Sequence, residues 1–469
     1  MISVATGLLG IFFLVLLWRK RPAAFVAGFF IIFQILLRLP DIIYLDLYGP
    51  VYSIQLSKHV GGDIASPYFL LACLCFLGPL FYMFRPSYLA KRIAGPIPNL
   101  PAYRTMQRFA LIGCAAIIGV AYLDMFRIGT IPLFTGMDRT EYEIIAGPTY
   151  SILYNIGFML TSALAIFAFL PRLQGGQVDI RFVALFIALM MFWVFTGNRF
   201  SIFYRDMSFF MIAVSALVWM TGAGRLQRRS ARDAWSALIS SRVLVPIGIA
   251  MSGVIIAGLL RNSYYNVRGY ADPIFEMTQR IMVQPVELYA SAWTELDIHR
   301  FAINWDAIDF LFFSPLATAA NTTVQYLMTI ELGYFRTVEL IDSGTQYAGG
   351  YPEILLYVLG GWYSLPAMLI FGIITVALLR LAVLSISKGH LITALLAIYV
   401  YYGFTLFYIG GMLNFLTAPS YWLKMIALTL AYYGEGPVLA KTRNARTVGR
   451  GMTTVQSPFA PIGPGQRRS

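Results

Sequence analysis

Long apolar runs separated by short polar connectors set the pattern of this chain. A helix needs roughly 20 mostly apolar residues to cross a hydrocarbon layer. About eleven such runs are legible, near 2–18, 23–46, 66–84, 108–125, 150–170, 182–197, 200–222, 243–260, 362–384, 391–412 and 417–436. One long polar segment breaks the series. It opens with RNSYYNVRGY (Arg261 to Tyr270) and closes with LIDSGTQYAGGYPE (Leu340 to Glu353). The pattern predicts an all-α polytopic membrane protein with eight spans in 1–260 and a loop domain at 261–351. A re-entering segment and three spans follow in 352–440, then a basic tail at 441–469. From Thr447 onward that tail is rich in Gly, Pro, Ser and Arg and is expected to be disordered. A loop as long as 261–351 is rarely a mere connector, and it is expected to roof a membrane cavity as half of an active site.

Composition sharpens this picture. The 469 residues are 58% hydrophobic and 12% charged, against roughly 25% charge in soluble domains. The net charge of +13 does not imply a nucleic-acid partner, because Lys and Arg concentrate in short loops and in the tail. Arg19-Lys20-Arg21, Arg85 with Lys91 and Arg92, Arg172, Arg225 with Arg228, Lys388 and Lys441 each follow an odd-numbered span. Basic loops stay in the cytoplasm, which predicts an external N-terminus, an external 261–351 loop and a cytoplasmic C-terminus. The first apolar run has its charges after it, the reverse of a cleaved signal peptide. Cys73, Cys75 and Cys114 all fall in apolar runs, so no disulfide framework is expected in the loop. No internal repeat supports an inverted-repeat transporter.

Arginines on the external side are not explained by that rule, and four places stand out. Thr196-Gly197-Asn198-Arg199 is a tight turn between the sixth and seventh spans, with Arg205 and Asp206 just beyond it. Arg261 and Arg268 bracket SYYNV, so Tyr264 and Tyr265 lie between two guanidinium groups. Such forks clamp phosphate oxygens, and the rings stack on sugars. Arg127, Arg139 and Glu141 gather in the shorter loop. Asp342 leads through a glycine-rich run with Tyr347 and Tyr351 to Pro352 and Glu353. A helix starting at Pro352 would point its amides at an anion. The plainer alternatives are interfacial anchoring, an Arg205–Asp206 pair, a solvated loop and dipole complementation by Glu353. Arg38 and Asp41 read as a local ion pair, and Trp293, Glu295, Asp297, His299, Asp306 and Asp309 as an acidic, aromatic surface. No metal-ligand motif is legible.

With these residues in view, the chain resembles the Wzy-type polysaccharide repeat-unit polymerases. IPLFTGMDRTEY before the fifth span, TGNR at the sixth–seventh turn, and a loop entered through an Arg/Tyr strip and left through glycines carry the resemblance. The enterobacterial common antigen polymerases are the variant it resembles most. Some family members carry an arginine between the last two spans, where this chain has Gly410-Gly411-Met412-Leu413-Asn414; that role is not carried over. The resemblance implies a C-type glycosyltransferase in the bacterial cytoplasmic membrane. Its substrate would be an undecaprenyl-diphosphate-linked oligosaccharide, polymerised on the outer face without a nucleotide sugar or other cofactor. A flippase and a chain-length regulator would be its partners. On this reading Arg139, Arg199, Arg205, Arg261 and Arg268 hold the diphosphate, and Tyr264, Tyr265, Tyr347 and Tyr351 hold sugar. Glu353, Asp342 and Glu141 remain open as the base. Two alternatives keep their own marks. An O-antigen ligase would use a loop histidine, for which His299 is the candidate, and a transporter or flippase would carry charges at helix centres.

Overall fold

The computed structural model describes residues 1–85, 97, 100–135, 137, 139–197, 200–222, 279–295, 303–309, 323–342 and 349–451. They form an α-helical membrane protein. Seven helices are long and apolar enough to cross a membrane: Ile2–Lys20 (α1), Ser66–Met83 (α4), the stretch Pro101–Thr135, Pro148–Leu173 (α8), Ser201–Thr221, Glu353–Lys388 (α15) and Leu391–Gly410 (α16). Three other expected spans differ in form. The 23–46 run is two helices, Pro22–Ala27 (α2) and Phe29–Tyr48 (α3), the second carrying Arg38, Asp41 and Asp46. Ile180–Phe195 (α9) has only 16 residues, and all but the first two residues of 417–436 lie inside the longer helix Pro419–Gly451 (α17), which continues into the expected tail. The 243–260 run lies outside the described residues.

The core sits where Phe200–Gly222 (α10) packs against α8, α2 and α15, and where α15 packs against α4 and α16. Helix α10 is the most enclosed of the candidate spans; Phe203, Phe209 and Phe210 on it and Phe182, Phe186 and Trp193 on α9 are buried. The α15–α4 crossing depends on Gly372, where an added Cβ would stand 2.2 Å from the Cys75 carbonyl oxygen. The helix ends pair up. At one end Arg21 Nε donates to Phe81 O, and the Tyr103 hydroxyl of Pro101–Ile128 (α5) donates to Gly389 O. Glu435 of α17 also accepts from the Ile392 and Thr393 amides there. At the other end the Asp46 carboxylate accepts from the Ala65 and Ser66 amides and so caps α4. A short antiparallel hairpin, Val51–Ser53 (β1) with Lys58–Val60 (β2), lies on that second end, as do the turn Gln279–Val283 and the helix Glu287–Glu295 (α11).

Candidate functional site

The chain enters α15 through a bend that leaves no room for side chains. Gly349 has φ 145, a conformation glycine adopts without steric cost. At Gly350 an added Cβ would stand 2.1 Å from the Gly411 nitrogen, so the bend presses on the C-terminal cap of α16. The Gly349 amide donates to Ile409 O at 3.3 Å. The peptide Tyr351–Pro352 is cis, and the Tyr351 hydroxyl donates to Ala72 O of α4. Pro352 is the N-cap and Glu353 the first helical residue, one position later than expected. Helical geometry breaks at Gly360 (φ 73), which separates a first short helix from the long remainder of α15.

Glu353 is fully buried at this bend. Its Oε1 accepts the Gly350 N–H at 2.8 Å and Arg38 Nη2 at 2.8 Å. Arg38 Nη1 donates to the Tyr351 carbonyl, and the guanidinium lies 5.3 Å from the Phe69 ring centroid. The expected local pair of Arg38 with Asp41 is therefore replaced by one that spans the chain. The reason is geometric: the planar fork finds two acceptors at once on the bend, which a single carboxylate on its own helix does not offer. The Gly350 amide, just before the helix, is filled by the protein's own carboxylate. Desolvating both charges is costly, and the pair persists because these hydrogen bonds satisfy it in part. Arg38 Nε, Asp41 Oδ2 and Glu353 Oε2 remain buried without partners. One turn before Arg38, Gln34 donates to the Tyr204 hydroxyl at 2.7 Å.

A second charged cluster lies in the first turns of α10. Arg205 Nε donates to Asp206 at 2.9 Å, and Trp193 Nε1 donates to the other oxygen of Asp206 at 3.0 Å. The guanidinium also lies 5.5 Å from the Tyr154 ring centroid. Arg205 is 7% exposed and Asp206 fully buried, so this arginine is enclosed in an internal pair. Aromatic contacts run from it through Trp193 and Tyr150 to Tyr142, on the short helix Arg139–Ala146 (α7). Arg139 opens α7, and Glu141 in its first turn is exposed. Arg127 pairs with Asp124 at 2.7 Å on the surface.

The described parts of the long polar segment pack onto the end of the bundle that holds Glu353. Gln279 grips the hairpin, donating to Tyr52 O at 2.9 Å. Lys58 pairs with Glu331 of the helix Thr323–Leu332 (α13), which also accepts from Ser291 at 2.6 Å. Glu287 is fully buried. One of its oxygens accepts the Ser53 hydroxyl at 2.6 Å and the other has no partner. Burial pushes its carboxyl up to about 7, and the Ser53 hydrogen bond pulls the other way. Tyr289 donates to Ala65 O at 2.9 Å, and its ring meets Phe69 edge-on at 5.3 Å. The turn and helix thus rest on the residues around Arg38.

Of the residues singled out in the sequence, Tyr351 and Glu353 come together at the bend. Asp342 ends the helix Tyr334–Asp342. Arg199, Arg261, Arg268, Tyr264, Tyr265, Tyr347 and His299 lie outside the described residues. Among the described residues no group of three or more His, Cys, Asp or Glu side chains is placed to hold a metal ion. Glu287 escaped the sequence reading; its signal was a lone carboxylate in the apolar string VELYASAW. Residues 317–423, under a quarter of the chain, match a family of unknown function, DUF6418. No curated protein and no solved structure matches the chain.

Proposed function

We propose that this protein is a glycosyltransferase of the repeat-unit polymerase type. It takes a polyprenyl-diphosphate-linked oligosaccharide at the outer face of the bacterial cytoplasmic membrane and transfers the growing glycan to a new lipid-linked unit. The observation that carries the reading is the bend from Gly349 to Glu353. The glycine-rich exit of the long polar segment is a tight turn that seats Glu353 at a helix end, beside the polar segment, against Arg38 from the middle of α3. A carboxylate at a helix end beside that segment suits chemistry at the membrane surface. Arg199, Arg261 and Arg268 stabilise the leaving diphosphate electrostatically, a task arginines perform through charge-assisted hydrogen bonds. Arg38 and Glu353 hold the bend against α3, and the Tyr351 hydroxyl and the Gly349 amide hold it against α4 and α16.

Deletion of the gene in its parent cell tests this. The expected surface glycan is one repeat unit long and still attached to its terminal acceptor. Complete loss of attached glycan would indicate a ligase, and lipid-linked units trapped inside the cell a flippase. Reporter fusions after Asn304 and after Arg446 test the orientation; a cytoplasmic signal at Asn304 would overturn it.

A further inference from the structure

At the end of the bundle where Tyr103 meets Gly389, the connectors after α1 and α4 carry cations and no carboxylate. Arg19, Lys20 and Arg21 lie at the first, and the sequence from Arg85 to Leu100 holds Arg85, Lys91 and Arg92 without an Asp or Glu. A solvated basic loop would leave such side chains loose. Two of them are fixed instead. Arg21 is half-buried. Its Nε donates to Phe81 O at 3.4 Å, its Nη1 donates to Lys20 O at 3.2 Å, and its guanidinium lies 5.1 Å from the Phe81 ring centroid. The Arg85 guanidinium lies 4.2 Å from the ring centroid of Tyr82, the next residue along α4. Burial, and after it the charge of Arg85, lower the Arg21 guanidinium from its ordinary value. The two cations therefore repel, and no carboxylate among the described residues relieves them. The acids at this end are engaged elsewhere. Asp179 accepts from Arg181 at 2.7 Å and from Gln107 at 3.0 Å, and Glu435 accepts from the Ile392 and Thr393 amides.

We infer that Arg21 and Arg85 bind the phosphate of an anionic membrane lipid. Planar guanidinium forks match phosphate oxygens, and stacking on a ring holds a fork in one orientation. An anion seated on both arginines also relieves the repulsion that the protein leaves uncompensated. The surroundings suit a lipid better than free phosphate. Trp18 is exposed one turn before Arg21, as are rings that sit at a headgroup layer. Leu71, Gly78 and Tyr82 are exposed on one face of α4, with Cys75 half-buried between them. Their spacing makes a helical stripe that ends at the ring beneath Arg85. It is an open stripe, since a Cβ on Gly78 would meet nothing within 4 Å. An acyl chain can lie along it while the headgroup reaches the two arginines. Free phosphate would use the arginines alone.

Native mass spectrometry of the full-length protein in detergent tests this, with phosphatidylglycerol, phosphatidylcholine and inorganic phosphate as probes. Wild type should retain phosphatidylglycerol in preference to phosphatidylcholine. Arg85→Gln changes an exposed side chain that bonds no backbone group, so it should melt as wild type does. It should bind phosphatidylglycerol about fivefold more weakly, and about 25-fold more weakly with Arg21→Gln added. Arg104→Gln with Arg108→Gln removes the same charge from exposed positions in the first turns of α5 and should leave retention unchanged. Wild type without a preference for phosphatidylglycerol, or Arg85→Gln binding it as tightly as wild type, would overturn the site. So would an equal loss in the Arg104 and Arg108 variant, which would make the effect one of net charge. Inorganic phosphate bound as tightly as the lipid, with the same dependence on Arg85, would make free phosphate the ligand and overturn the lipid assignment.

Discussion

The Arg38–Glu353 pair predicts a non-additive stability cycle. Arg38→Met removes the cation bonded to the fully buried Glu353 and takes the donor from the Tyr351 carbonyl. Breaking one side of a buried ion pair costs about 3–5 kcal/mol, because the stranded charge stays desolvated. Glu353→Met strands Arg38 in the same way. The double variant Arg38→Met with Glu353→Met strands no charge. It leaves only the neutral Gly350 N–H and Tyr351 carbonyl without these partners, at about 1–3 kcal/mol each, whereas each single variant leaves one such group and a stranded charge as well. The double variant should therefore be more stable than either single variant. Reversible unfolding of the detergent-solubilised protein by a denaturing detergent, followed by tryptophan fluorescence, gives the four stabilities. If the single effects add in the double variant, or if Arg38→Met lies within about 1 kcal/mol of wild type, the pair is not coupled as drawn.

Three further outcomes follow from the same geometry. Gly350→Ala places a Cβ 2.1 Å from the Gly411 nitrogen and should lower stability by about 2–3 kcal/mol. Gly78→Ala, where nothing lies within 4 Å, should be neutral or stabilising in the same melt. Glu287 holds its proton to about 7 in the folded protein, against an ordinary 4.5. The Glu287 contribution to stability should therefore be full below about 4.5 and shrink by roughly 3 kcal/mol as pH rises to about 7, and the difference between wild type and Glu287→Gln should follow that curve. Asp206→Asn strands the buried Arg205 and should cost about 3–5 kcal/mol, whereas Asp124→Asn at the exposed Arg127 pair should cost less than about 1 kcal/mol; equal effects in thermal unfolding would contradict this.

What the sequence revealed and what it hid divide along one physical line. Hydropathy and turn chemistry are local, so the apolar spans, the glycine-rich exit and the placing of Glu353 in a first helical turn were legible. Ion pairing is not local. Arg38 and Glu353 are 315 residues apart, and a reader of sequence pairs Arg38 with the carboxylate three positions on because no other is in view. Glu287 went unmarked for the same reason, since its meaning lies in Ser53, 234 residues earlier. The Arg205–Asp206 pair was legible as an alternative because its members are adjacent. The 23–46 run read as one span, but it divides at Gly28, where helical geometry is interrupted between α2 and α3.

The matched segment 317–423 does not balance its own buried charges. Glu353 lies within it, and its counter-ion is Arg38. Glu331 lies within it as well, and its counter-ion is Lys58. Both cations come from the first 60 residues, and the Tyr351 hydroxyl likewise needs Ala72. Expressed alone, a fragment from residue 298 to the end would lack both cations and also α3, α4 and the hairpin, which cover these carboxylates and complete the bend. The fragment should be degraded when made by itself and rescued by co-expression of residues 1–297, with recovery read as membrane-inserted, protease-resistant protein. Arg38→Met in the first fragment should abolish most of that rescue. A C-terminal fragment that accumulates and resists protease without its partner would show that the segment is autonomous, and that the ion pairs across the junction are incidental to its fold.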